Sequence, residues 1–185
     1  MKRVINFVFL SFIFFSIIGC SNFIKIDKET YERIFYDKGF YSDGWRYLEA
    51  APKSTEWKIK VWGGNKSTVT KAGVTAIGTG KQNTLDIVTQ FGALEPYEGE
   101  TDYAAKLCND LESGGHSDWF LPSKDELNLM YVNLKIKGVG EFADDLYWSS
   151  SEGSDRVWAQ YFANGNQSNY YTKWSHLRVR AVRAF

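Results

Sequence analysis

The chain has 185 residues, with 22 basic against 22 acidic side chains and a 17% aromatic content. A formal charge of zero supplies no attraction to a polyanion, so nothing in the balance supports nucleic acid as a partner. Two cysteines, Cys20 and Cys108, are too few for a disulfide scaffold, and the rings must supply a packed core instead.

The first twenty residues read as an export signal. Lys2 and Arg3 precede an apolar run over 7–15 that only Ser11 interrupts, followed by Ile17-Ile18-Gly19-Cys20. The run is short of the roughly 20 apolar residues that a membrane span needs. IIGC resembles a lipobox, the site at which bacterial signal peptidase cuts before a lipid-modified cysteine. That resemblance makes Cys20 the acylated first residue of the mature chain and residues 1–19 a signal peptide. Its removal leaves 166 residues, with 20 basic against 22 acidic side chains, a net −2, and Cys108 as the remaining thiol. Residues 21–42 mix charges and rings without a sustained period. They read as a tether, with one short helix near 29–35, and 20–43 as the whole linking segment. At about 3.3–3.6 Å per residue such a tether reaches several nanometres.

From residue 44 to 185 the chain reads as one globular domain. WRYLEAAP, residues 45–52, predicts an entry strand stopped by Pro52, and WKIKVWGG, residues 57–64, a second. Leu85, Val88 and Phe91 recur at helical spacing, with Gly92 as the stop. Ala104, Leu107, Cys108 and Leu111 form the next apolar stripe, with Thr101 placed to cap it and Gly114-Gly115 to end it. This spacing puts Cys108 on a buried face as a core thiol. Ser123 and Glu126 fit a capping box ahead of the stripe Leu127, Met130, Tyr131, Leu134. Residues 147–152 and 156–162 predict strands, Asn164-Gly165 a turn between strands, and 177–185 a last alternating strand. Strands, then helices, then a closing block of antiparallel strands make an α+β fold with short antiparallel sheets and two to three helices.

GGHSDWFLPSKDEL, YWSSSE, VWAQYFANGNQ and RVRAVRAF, with RYLEAAP near the start, resemble in order and spacing the Lcl-type C-terminal domain family. Such domains occur in bacterial surface lipoproteins and in a collagen-like adhesin. The resemblance spans residues 44–185. It implies a C-type lectin-like fold, shared with formylglycine-generating enzymes and with the variable proteins of diversity-generating retroelements. The motifs also read physically. Trp119, Phe120, Leu121 and Trp148 are large apolar anchors, and Ser149, Ser150 and Ser151 can satisfy backbone groups where a strand ends. These residues read as the frame.

The chemistry argues against an enzyme. His116 and His176 stand sixty positions apart, and there is no HExxH, no GxSxG and no phosphate-loop spacing in TAIGTGKQN. Formylglycine-generating enzymes use active-site cysteines, and one core thiol cannot replace them. Asp144-Asp145, or Asp118 with Glu126, read as a solvated turn or a cap. Glu95-Pro96-Tyr97 only echoes the calcium loop of sugar-binding lectins, and the C-terminal strands lack WND, so no metal ligand and no cofactor is assigned.

The segment NGNQSNYYTKWSH, residues 164–176, gathers amides and rings as antibody loops do. The candidate ligand-binding residues are Arg156, Trp158, Asn164, Asn166, Asn169, Tyr170, Tyr171, Lys173, Trp174 and His176, with Arg178 flanking. About half of the rings are expected in the core, Trp158 first. Arg180 and Arg183 match the family motif and read as salt-bridged scaffold. The expected protein is non-enzymatic and held to the bilayer through acylated Cys20, at the outer membrane or cell surface of a bacterium. Its lectin-like domain acts as a variable receptor or adhesin toward an external protein or glycan. The alternatives are a lectin-like adhesin for sulfated polysaccharide and a structural envelope lipoprotein without a specific ligand.

Overall fold

The structure, a computed structural model, describes residues 26–63, 69, 71–92, 102–153 and 155–185. The signal peptide, Cys20, Gly64, Glu95-Pro96-Tyr97 and Thr101 lie outside the described residues. Among the described residues no helix is long and apolar enough to cross a membrane.

The described part of the expected tether, from residue 26 on, is folded. Lys28–Glu32 is helix α1, capped by the Asp27 side chain, which accepts from the Thr30 N–H. Ile34–Ser42 is strand β1, antiparallel to β2, Trp45–Ala50. Residues 21–42 show no period of their own, and pairing with β2 supplies what the pattern lacks. The helix expected near 29–35 ends at Glu32.

Strand β3 is Trp57–Lys60, and helix α2 is Gly80–Phe91. The buried face of α2 matches the expected one at Phe91 and partly at Val88, and departs from it at Leu85. It carries Gly80, Asn83, Thr84, Ile87 and Phe91, while Leu85 is 42% exposed. Polar side chains turn inward because they stitch α2 to the main chain. Asn83 Nδ2 donates to the Val74 carbonyl at 2.7 Å, and the Leu121 N–H donates to Thr84 Oγ1 at 3.0 Å. Gly80 is required by proximity, since a Cβ there would lie 2.2 Å from Glu126 Oε2.

Helix α3, Ala104–Asn109, buries Ala104, Ala105 and Cys108. Helix α4, Lys124–Met130, begins with the expected capping box and runs into a π-helical turn, Tyr131–Lys135. Three α-helices, α2 to α4, thus occur among the described residues of the domain, within the two to three expected, and α1 is the short helix ahead of it.

The closing strands are β4 (Leu146–Glu152), β5 (Val157–Tyr161), β6 (Gln167–Tyr171), β7 (Leu177–Val179) and β8 (Val182–Ala184). The expected single strand over 177–185 is split between two sheets. β7 joins the five-stranded sheet β3-β7-β4-β5-β6, and β8 joins the three-stranded sheet β1-β2-β8. The block is not wholly antiparallel, because β4 and β7 pair in parallel. The architecture is α+β with mixed sheets.

Two apolar clusters fill the interior. One gathers Trp62, Ile87, Phe91, Tyr103, Trp119 and Trp148 between the helices and the larger sheet. The other gathers Phe35, Leu48, Leu127, Met130, Tyr147 and Phe162 beside the smaller sheet. Phe120 joins β8 through reciprocal backbone bonds with Val182 of 2.8 and 2.9 Å.

Candidate functional site

The β5–β6 hairpin displays the candidate surface, and its inner side is anchored. Gln160 Nε2 donates to Asn128 Oδ1 at 2.9 Å, and Gln167 Nε2 donates to the Lys124 carbonyl at 2.8 Å. The two glutamines meet at 3.2 Å, so the hairpin is fastened to α4 by amides that are buried or partly buried. The turn closes as Asn164-Gly165 predicts. The Gly165 N–H donates to the Tyr161 carbonyl at 2.7 Å, with φ of 80° at Gly165. The Asn166 N–H donates to Asn164 Oδ1 at 3.0 Å.

Outward, Asn164, Asn166, Asn169, Arg156 and His176 are exposed, and Tyr170 is 83% exposed. Arg156 reaches across the strand pair and donates to the Tyr170 carbonyl at 3.0 Å. Tyr161, not among the candidates, is also exposed beside the turn. It shares the parity of buried Val157 and Ala159, but it is the last residue of β5.

The remaining candidates serve the frame in whole or in part. Trp158 is half-buried, with Lys124 Nζ 4.9 Å from its ring. Tyr171 packs edge-on against Trp148 with centroids 6.1 Å apart, and Trp174 packs partly on the same cluster. Lys173 is a correction. Its side chain is buried and ion-paired with Glu152, with Nζ 5.5 Å from the Trp62 ring. Burial raises the Glu152 carboxyl, and the Lys173 ammonium and the Val69 N–H act against that rise. An inward cation closing a buried pair is unavailable to an external ligand.

The arginines are likewise spent internally. Arg180 is buried, donating to Glu56 Oε2 at 2.6 Å and to the Ala51 and Gly140 carbonyls at 3.1 Å. Arg178 reaches Glu56 at 2.9 Å and Asp145 at 2.8 Å. Burial pushes the Glu56 carboxyl up, but bonds from Lys53 and Arg180 outweigh it and hold the group below its ordinary range. Arg183 donates to Glu49 at 2.8 Å and lies 3.9 Å from Asp118.

Cys108 is fully buried, and desolvation pushes its thiol well above the ordinary value, which leaves no nucleophilic thiolate there. Glu126 works as a structural group. It completes the capping box and accepts from the Gly78 N–H at 2.7 Å. Among the described residues no group of three or more His, Cys, Asp or Glu could hold a metal ion.

The buried motif anchors and the hairpin they support coincide with a known domain: a family model described as the Lcl C-terminal domain matches residues 45–183. The chain belongs to this family. No curated protein matches the chain. A solved fimbrial protein from Bacteroides ovatus ATCC 8483 is similar in structure, with a TM-score of 0.52 and 15% sequence identity. The likeness covers 76% of this chain and 36% of that one, so the chain spans little more than a third of that protein. At that identity the likeness is one of fold. Within the Lcl C-terminal domain, Trp119, Phe120, Leu121, Trp148, Ser149, Ser150, Ser151, Arg180 and Arg183 are all buried. The shared motifs therefore build the frame, while α1 and β1 precede the matched span.

Proposed function

We propose that the chain is a non-enzymatic, lipid-anchored bacterial envelope protein whose Lcl C-terminal domain binds an external protein or glycan as a receptor or adhesin. In this reading the fold is C-type lectin-like, and Cys20 carries the lipid at the outer membrane or cell surface. The observation that carries the binding role is the β5–β6 hairpin. Its inner side is pinned to α4 through Gln160 and Gln167, while Tyr170 and three asparagines project from it. A rigid ring among adaptable amides, held on a preorganised hairpin, loses little entropy on binding.

The sulfated-polysaccharide alternative has less support. Lys173, Arg178, Arg180 and Arg183 each face a carboxylate of the fold. Recognition then falls to rings and amides, with Arg156 at the margin. The test is an array of glycans and extracellular-matrix proteins probed at low and high salt. The expected result is a ligand whose binding changes little with salt and weakens about tenfold or more in Tyr170→Ala. Capture limited to sulfated glycans and abolished by salt would favour the alternative. Silence at both salts would favour a structural lipoprotein.

A further inference from the structure

A second exposed aromatic feature lies outside the family match, at the tip of the β1–β2 hairpin. Phe40 and Tyr41 are 64% and 62% exposed. Neighbours in a regular strand face opposite sides. Here the ladder is interrupted: Asp37 pairs with Tyr47 and Ser42 with Trp45, so β1 takes five steps where β2 takes two. The surplus residues bulge out and carry both rings with them.

The bulge is braced at its base. Lys38 Nζ donates to the Ser42 carbonyl at 2.7 Å and sits 3.9 Å from the centre of the Trp45 ring. Asp37 accepts from the Gly39 N–H at 2.7 Å and from Arg46 at 2.7 and 2.9 Å. Gly39 has φ of 87°, a conformation that admits glycine readily. The result is a braced protrusion with two rings in solvent.

Its position on the chain says what it can meet. Ile26 lines a cavity of about 650 Å³ together with Tyr31, Ile34, Asp37 and Lys137. Five residues separate Ile26 from Cys20. Six Cα steps at full extension span at most about 22 Å. Phe40 lies three residues beyond Asp37, at most about 10 Å away because the chain between them is bulged and not fully extended. A lipid on Cys20 therefore tethers the domain at this pole, within reach of the bilayer. We propose that Phe40 and Tyr41 dock into the headgroup–acyl boundary of the membrane that holds the anchor, fixing which face of the domain points away from it. Aromatic side chains favour that boundary. The proposal rests on acylation of Cys20.

The test uses the full acylated chain reconstituted in vesicles of phosphatidylethanolamine and phosphatidylglycerol. A nitroxide is placed at Tyr41→Cys or, in a second preparation, at Tyr170→Cys. Buried Cys108 is not labelled. The expected result is an oxygen-to-nickel collision ratio several-fold higher at position 41 than at 170, falling when Phe40→Ser is added. Equal, water-like ratios at both positions on a chain that floats with the vesicles overturn docking and leave the anchor intact; the aromatic tip is then open to a protein partner. If the chain floats no better than Cys20→Ser, the anchor fails, and docking falls with it.

Discussion

Lys173 and Tyr170 stand three positions apart, and burial gives them opposite roles. Lys173 closes a buried pair with Glu152, so Lys173→Ala strands a carboxylate in the interior and should cost about 3–5 kcal/mol in urea unfolding. Tyr170 projects into solvent, so Tyr170→Ala should change stability by about 0.5 kcal/mol or less in the same assay. Glu126 makes the clearest pH prediction. Desolvation raises its carboxyl to about 7 against bonds from the Ser123, Gly78 and Gly80 N–H groups. The folded chain then holds a proton that the unfolded chain releases near pH 4.5. Its contribution is complete below that point and is lost as pH rises toward 7, by roughly 3 kcal/mol. Stability measured across this window should fall with pH in the native chain, and Glu126→Gln should flatten the slope.

At the level of the element, the β5–β6 hairpin depends on one turn. Gly165 has a positive φ, and a Cβ there would lie 2.3 Å from Tyr131 Cε1. Gly165→Ala should therefore cost about 1–3 kcal/mol by denaturant titration, since the backbone and the Tyr131 ring must both give way. Weaker ligand binding should accompany the loss, because the displayed asparagines flank this turn. Helix α4 supports the hairpin from beneath. Its capping box was legible because the two partners are three residues apart and the geometry is local. The face of α2 was legible only in part, since Phe91 and Val88 pack on the core and Leu85 does not. Leu85, Val88 and Phe91 carry an apolar period, yet Asn83 and Thr84 go inward because their partners, Val74 and Leu121, approach from other segments.

Across the whole molecule, the decisive place is the corner between β7 and β8, where the chain leaves one sheet for the other. Arg180 stands at that corner and is held by Glu56, Ala51 and Gly140. Glu56 also accepts from Lys53, Arg178 and the Tyr147 hydroxyl. Glu56→Ala leaves a buried guanidinium without its counter-charge and should cost about 3–5 kcal/mol, read as a lowered denaturant midpoint. If the two sheets unfold as one unit, far-UV and tryptophan signals should shift together.

Local and periodic features were set by the sequence alone: the Ser123 cap, the buried stripe through Cys108, the Asn164-Gly165 turn and the motif anchors of an Lcl C-terminal domain. Each depends on neighbours within about one or two helical turns or on a strand's own alternation. The fold alone decided the rest. Apolar residues alternate with Arg178 and Arg180 only as far as Ala181, and the parity slips at Ala181-Val182, yet which sheet each half joins is settled by the partners β3 and β4 on one side and β2 on the other. Residues 34–42 carry no period, so only β2 could make them a strand. A lysine among tyrosines and asparagines looks like a contact residue until Glu152, twenty-one positions earlier, draws it inside. Long-range partners decide burial, and a local pattern cannot name them.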